Sequence, residues 1–266
     1  MLNKLLKYDL KWCYKALIIF YILSLVFASL TRVFFSIDDS LIFYIAGKIT
    51  LGITISLLAS ILINNILRLW ARFIKNLYGD EAYLTHTLPV YKKDLFLSKV
   101  LSSVITLFTS TIFIIVSLLI MYYSKENIIV IKNMLSNINI STSLLIFLIA
   151  AIFYLEMLFI IISGYISIIL GYRQNNNKLI KSILFGLIIY FVLQAFIILI
   201  VFIIGLFNKD IMALFTSNKM TTDLLKQILI FSNVIYFIYN VILYIVGNQL
   251  FKKGVNIDWF YVFLWN

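Results

Sequence analysis

Proline, cysteine, histidine and charge are all scarce in this sequence, and each scarcity closes a class of answers. A single cysteine, Cys13, stands in 266 residues, which excludes a disulfide framework and a multi-cysteine metal site within one chain. The one histidine, His86, has no second imidazole to work with, so no HExxH metal helix exists, and no GxSxG elbow accompanies it. No catalytic residue and no metal ligand is assigned on these grounds. No GxxxxGK[ST] phosphate loop occurs anywhere, so any use of ATP has to reside on another chain. Charged residues make up 12% of the sequence, half the quarter or so that a soluble domain carries.

What fills the sequence instead is apolar. Hydrophobic residues reach 63% and the mean hydropathy is +1.05, the composition of an integral membrane protein. Six runs approach the ~20 residues needed to cross a ~30 Å hydrocarbon core: 16–35, 42–67, 97–122, 144–170, 183–207 and 228–246. The expected fold is therefore all-α, a single transmembrane domain over 1–266 with six membrane-spanning helices.

The net charge of +11 is explained by where it sits. Polar segments alternate in Lys and Arg content along the chain. The N-terminus, Arg68 to Lys99, Arg173 to Lys181 and the C-terminus together hold fifteen, and the alternate loops hold five. Arg32 and Lys48 lie inside apolar runs. This bias predicts both termini on the cytoplasmic side of a cytoplasmic membrane, with the positive charge directed at anionic lipid rather than nucleic acid.

Residues 1–15 have helical spacing, with Lys4, Lys7, Lys11 and Lys15 on one face and Leu2, Leu6, Leu10 and Cys13 opposite. With Trp12 and Tyr14 near the interface, the pattern predicts an amphipathic helix lying in the headgroup plane before the chain turns inward. At the other end, Trp259, Phe260, Tyr261, Phe263 and Trp265 suit an interfacial aromatic anchor. The loops 125–142 and 208–227 have room for a helical turn or two.

One polar run stands out between two apolar spans: Gly79 to Lys99, GDEAYLTHTLPVYKKDLFLSK. Asp80 and Glu81 precede Ala82, Tyr83, Leu84, Thr85 and His86, which fits a short helix with carboxylates at the positive end of its dipole. Pro89, the only proline, ends it by disfavouring the helical region at the preceding residue. Lys92 and Lys93 then open the next span.

The string DEAYLTHTLPV, followed by Leu95, Leu97, Ser98 and Lys99, resembles the DEGYLT-x-TLPV…LLLSK signature between the second and third spans of small bacterial ABC-2-type transporter permeases. Ala82 stands where that pattern has glycine. The resemblance implies a membrane subunit of an ATP-driven exporter, with two permease copies and two separate cytoplasmic ATPases that carry ATP and Mg. It further implies that residues 79–88 form the coupling helix seated on the ATPase, a segment carried by Gly79, Asp80, Glu81, Ala82, Tyr83, Leu84, Thr85, His86, Thr87, Leu88 and Pro89. Asp80 and Glu81 would pair with basic residues of the ATPase, cap the helix, or both. Similar small permeases serve lantibiotics and phenol-soluble-modulin-like peptides, so the resemblance implies an amphipathic peptide cargo; lipid-linked, polysaccharide or drug cargo is the alternative. A non-transporting membrane sensor or scaffold is the reading from another class.

Polar residues within the apolar runs are the remaining candidates. A carboxylate at the bilayer centre costs about 2.5 to 3.5 kcal/mol on insertion scales, so Glu156 needs a reason: a transport route, an interhelical pair with Lys48, or a protonated carboxyl bonded to a neighbouring helix. Lys48, Gly52, Ser56, Ser60 and Asn64 recur every four residues in the second span. Such a stripe serves close helix packing or, by the resemblance, faces the route between two permease copies. Gln194 is a further candidate for the same surface.

Overall fold

The computed structural model describes residues 1–37, 40–122, 142–207, 212 and 222–254. Every regular element among them is a helix: α1 (Leu2–Phe35), α2 (Leu41–Leu77), α3 (Ala82–Thr87), α4 (Lys92–Tyr122), α5 (Thr142–Gly171), α6 (Lys178–Phe207) and α7 (Thr222–Lys252). Six of them, all but α3, are long and apolar enough to cross a membrane. This is the architecture of a multi-pass membrane protein. The aromatic anchor at 259–265 and the helical turns expected in the two long loops lie outside the described residues, although Thr222 to Gln227 already belong to α7.

The helices overrun their apolar runs. No turn separates residues 1–15 from the first span: α1 is continuous over 34 residues, because nothing between Met1 and Phe35 is glycine or proline to break the backbone ladder. Its buried positions are Asp9, Cys13, Leu17, Tyr21, Ser24, Ala28 and Thr31, a spacing of three and four that carries one packed stripe through both halves. α2 likewise continues from the apolar residues through Arg68 to Leu77.

The chain divides into two compact units. The first comprises Met1–Arg72 and Leu97–Ile131, so it contains α1, most of α2 and most of α4. Its seam is polar. The Tyr21 and Ser110 hydroxyls lie 2.7 Å apart, the Asn65 amide donates to Ser110 at 2.8 Å, and Ser117 donates to Ser24 at 3.3 Å. Thr31 and Thr54 meet at 3.3 Å. Small hydroxyl residues let helix backbones approach closely where lipid supplies no hydrophobic drive for association.

The second unit comprises Phe73–Phe96 and Lys132–Asn266. Here α5 packs against both α6 and α7. α5 and α7 run in the same direction: Asn233 Nδ2 donates to the Leu148 carbonyl at 3.1 Å and Asn240 Nδ2 to the Leu155 carbonyl at 2.9 Å. Both steps are seven residues, the repeat of two helices that keep one seam in contact. Gly247, one heptad further, has no room for a Cβ, which would stand 2.7 Å from the Phe96 ring. At the turn into α6 the approach is closer still, with a Cβ on Gly171 falling 2.0 Å from Ser182 Oγ.

Candidate functional site

The polar run between α2 and α4 forms a seated helix in the second unit. α2 ends when the Tyr78 and Gly79 amides both turn to the Ile74 carbonyl, each at 2.9 Å. α3 follows and stops at Leu88, whose extended backbone (φ −62°, ψ 139°) is the conformation a residue before proline prefers.

Three contacts hold α3 down. Asn76 of α2 donates from Nδ2 to Glu81 Oε2 at 3.0 Å and to Thr85 Oγ1 at 2.9 Å. His86 Nε2 donates to the Leu77 carbonyl at 3.1 Å, and its ring lies 6.3 Å from that of Phe251 on α7. Ala82 and Thr85 are buried beneath. Tyr78 is packed against Tyr172 at 4.7 Å between ring centroids, and burial pushes its phenol well above the ordinary tyrosine range.

The helix keeps its place by side-chain bonds rather than by capping. Glu81 occupies the N-cap position but makes no side-chain cap bond, because its backbone is already helical (φ −86°, ψ −6°) where a capping residue needs extended geometry. Its carboxylate reaches back instead to Asn76 and, at 3.8 Å, to Lys75.

The opposite face of the segment is bare and apolar. Tyr83 is 66% exposed, Leu84 68%, Leu88 46% and Tyr91 83%. The unbroken apolar run of α2 ends at Leu67, ten residues before the helix itself ends at Leu77, about 15 Å along the axis, whereas the headgroup layer adds only about 5 to 8 Å on each side of the hydrocarbon.

No protein-family model matches the chain, and neither any curated protein nor any solved structure resembles it. The geometry therefore carries the argument alone.

The intramembrane candidates are divided between the two units. Lys48 belongs to the first unit and Glu156 to the second. The Lys48 ammonium lies 5.4 Å from the Tyr44 ring centroid and 6.0 Å from that of Phe35. Glu156 sits half-buried on α5, and Gln194 donates to the Tyr236 hydroxyl at 3.4 Å. The stripe on α2 points away from its own unit. A Cβ on Gly52 would meet nothing within 4 Å, and Ser56, Ser60 and Asn64 bond to carbonyls four residues back on their own helix, at 2.9, 2.8 and 2.9 Å.

A charge cluster in the first unit is the feature that reading the sequence missed. Asp9 of α1 is fully enclosed, and its Oδ1 accepts from Lys99 Nζ at 2.6 Å and Arg72 Nε at 3.0 Å. Its Oδ2 accepts from Ser98 at 3.3 Å. The signal was present in the spacing: Asp9 precedes Cys13 by four residues on the apolar stripe of α1, the one acid in a lysine-rich helix.

Proposed function

We propose that this chain is the membrane-spanning permease subunit of an ATP-driven ABC exporter, working with a separate cytoplasmic ATPase. The observation that carries the reading is α3: a short helix fixed on its inner face by Asn76 and His86 and presenting Tyr83, Leu84, Leu88 and Tyr91 outward. An exposed apolar patch marks a protein-binding surface, and tyrosine and leucine set in a polar rim suit a partner's groove. ATP-driven closure of the ATPase pair would move a helix seated in it, and the contact with α2 and α7 passes that movement to the spans.

The charge bias supports a bacterial cytoplasmic membrane with both termini and α3 inside. Because Ser56, Ser60 and Asn64 bond only to their own helix among the described residues and Gly52 meets nothing, the α2 stripe, with Lys48 at its head, is offered to a second copy of the permease. An apolar body with short loops suits a cargo that partitions into the bilayer, and an amphipathic peptide is the class that fits.

The test is co-expression of the tagged chain with its neighbouring genes and purification in mild detergent. A nucleotide-binding subunit in equal amount is expected, and Leu84→Asp lowers its recovery about tenfold or more, the scale of a central contact residue, without changing the amount of permease in the membrane. Recovery of the chain alone, or of a partner that binds no nucleotide, overturns the exporter and favours a sensor or scaffold.

A further inference from the structure

The strongest unexplained chemistry lies in the first unit, around Trp12. Two guanidiniums face one indole, Arg68 at 5.7 Å and Arg72 at 5.8 Å from its ring centroid. Arg72 is occupied by Asp9. Among the described residues Arg68 has no carboxylate partner, and its buried Nε has no hydrogen-bond partner. Arg72 and Lys99 share the single carboxylate of Asp9 and Arg68 adds a third cation beside Trp12, so the cluster is left positive. Arg68 and Arg72 are also one turn apart on α2, where like charges repel.

Depth decides what such a cluster meets. Arg68 follows the last residue of the unbroken apolar run of α2, and Arg72 lies four residues further, about 6 Å along the axis. Trp12 precedes the first apolar run of α1 by the same four residues, and Lys99 stands where α4 enters its own. All reach the layer occupied by lipid phosphates.

We propose that Arg68, with Trp12 and Arg72 beside it, is a binding site for the phosphate of an anionic phospholipid. A guanidinium fork suits a phosphate's paired oxygens, basic pockets between spanning helices hold anionic headgroups, and indole at this level rests against the acyl boundary. The site does not depend on the exporter reading.

The experiment counts retained lipid on the purified full chain by native mass spectrometry after titration with phosphatidylglycerol or phosphatidylcholine, alongside thermal unfolding in the same detergent. Phosphatidylglycerol is expected to bind and to raise the thermal midpoint, and phosphatidylcholine not to. Arg68→Gln weakens phosphatidylglycerol binding about fivefold or more. Lys4→Gln, which removes an equal charge from the exposed start of α1, leaves it unchanged. Equal stabilisation by the two lipids overturns the proposal even where Arg68→Gln does not fold. An equal loss from Lys4→Gln overturns it in favour of diffuse charge, and displacement of the lipid by millimolar inorganic phosphate overturns it in favour of a soluble ligand.

Discussion

Asp9 shows how much a single carboxylate can organise in an apolar protein. It joins α1 to Arg72 on α2 and to Lys99 on α4, and it is the counter-ion that allows both cations to be enclosed. Removing one partner of a buried ionic cluster leaves uncompensated charge, at about 3 to 5 kcal/mol. Asp9→Asn is therefore expected to lower the thermal midpoint in detergent sharply. Adding Lys99→Met to it should recover part of the loss, since one of the two stranded cations is gone. A double variant no more stable than Asp9→Asn alone would show that Lys99 is not held by this carboxylate. Asn76 plays the corresponding role under α3. Asn76→Ala removes the amide bonds to the Glu81 carboxylate and the Thr85 hydroxyl, at about 1 to 3 kcal/mol in all, and faster proteolysis between Gly79 and Tyr91 is the expected readout.

Among the elements, α5 is the one the second unit is built on. Its parallel partner α7 is registered by the two asparagines at a seven-residue interval, and its end meets α6 where only glycine fits. Gly171→Ala places a methyl 2.5 Å from the Ser182 backbone nitrogen, a clash no rotamer change relieves, so a loss of about 1 to 3 kcal/mol is expected. Gly186→Ala is the matched control on α6, where the added methyl meets only the Ser167 side chain, at 3.3 Å. Equal destabilisation by the two substitutions would mean that the α5–α6 turn is not packed as closely as this. The helix boundaries at this scale were only partly legible. The six apolar runs located the spans, but the extensions of α1, α2 and α7 into charged sequence follow from the absence of a breaker, and breakers are easier to notice than to miss.

At the scale of the whole molecule, membrane topology is the next testable consequence. From six helices long and apolar enough to cross a membrane and a basic bias at alternate ends, the charge rule predicts Tyr83 and Asn175 on the side of the termini and Ser36 on the other. Single-cysteine variants at these positions, in a chain with the buried Cys13 replaced, are expected to label from the cytoplasmic side at 83 and 175 and from outside at 36. Labelling of all three from one side would remove the charge-based orientation and the proposed coupling role of α3 with it.

Sequence alone determined what composition and periodicity control: an all-helical chain, six apolar helices, and a short helix closed by Pro89 in the one long polar run. These follow from hydrogen-bond demand in lipid and from local backbone sterics, which neighbouring residues settle among themselves. Only the tertiary structure decided which polar groups meet. Glu81 turns to Asn76 and Lys75 rather than to its own helix terminus, His86 to a backbone carbonyl, Lys48 to two aromatic rings, and Asp9 to Arg72 and Lys99, which lie 63 and 90 residues away. Such pairings are set by how helices pack, and in an apolar chain a buried charge takes whichever counter-charge that packing brings within reach.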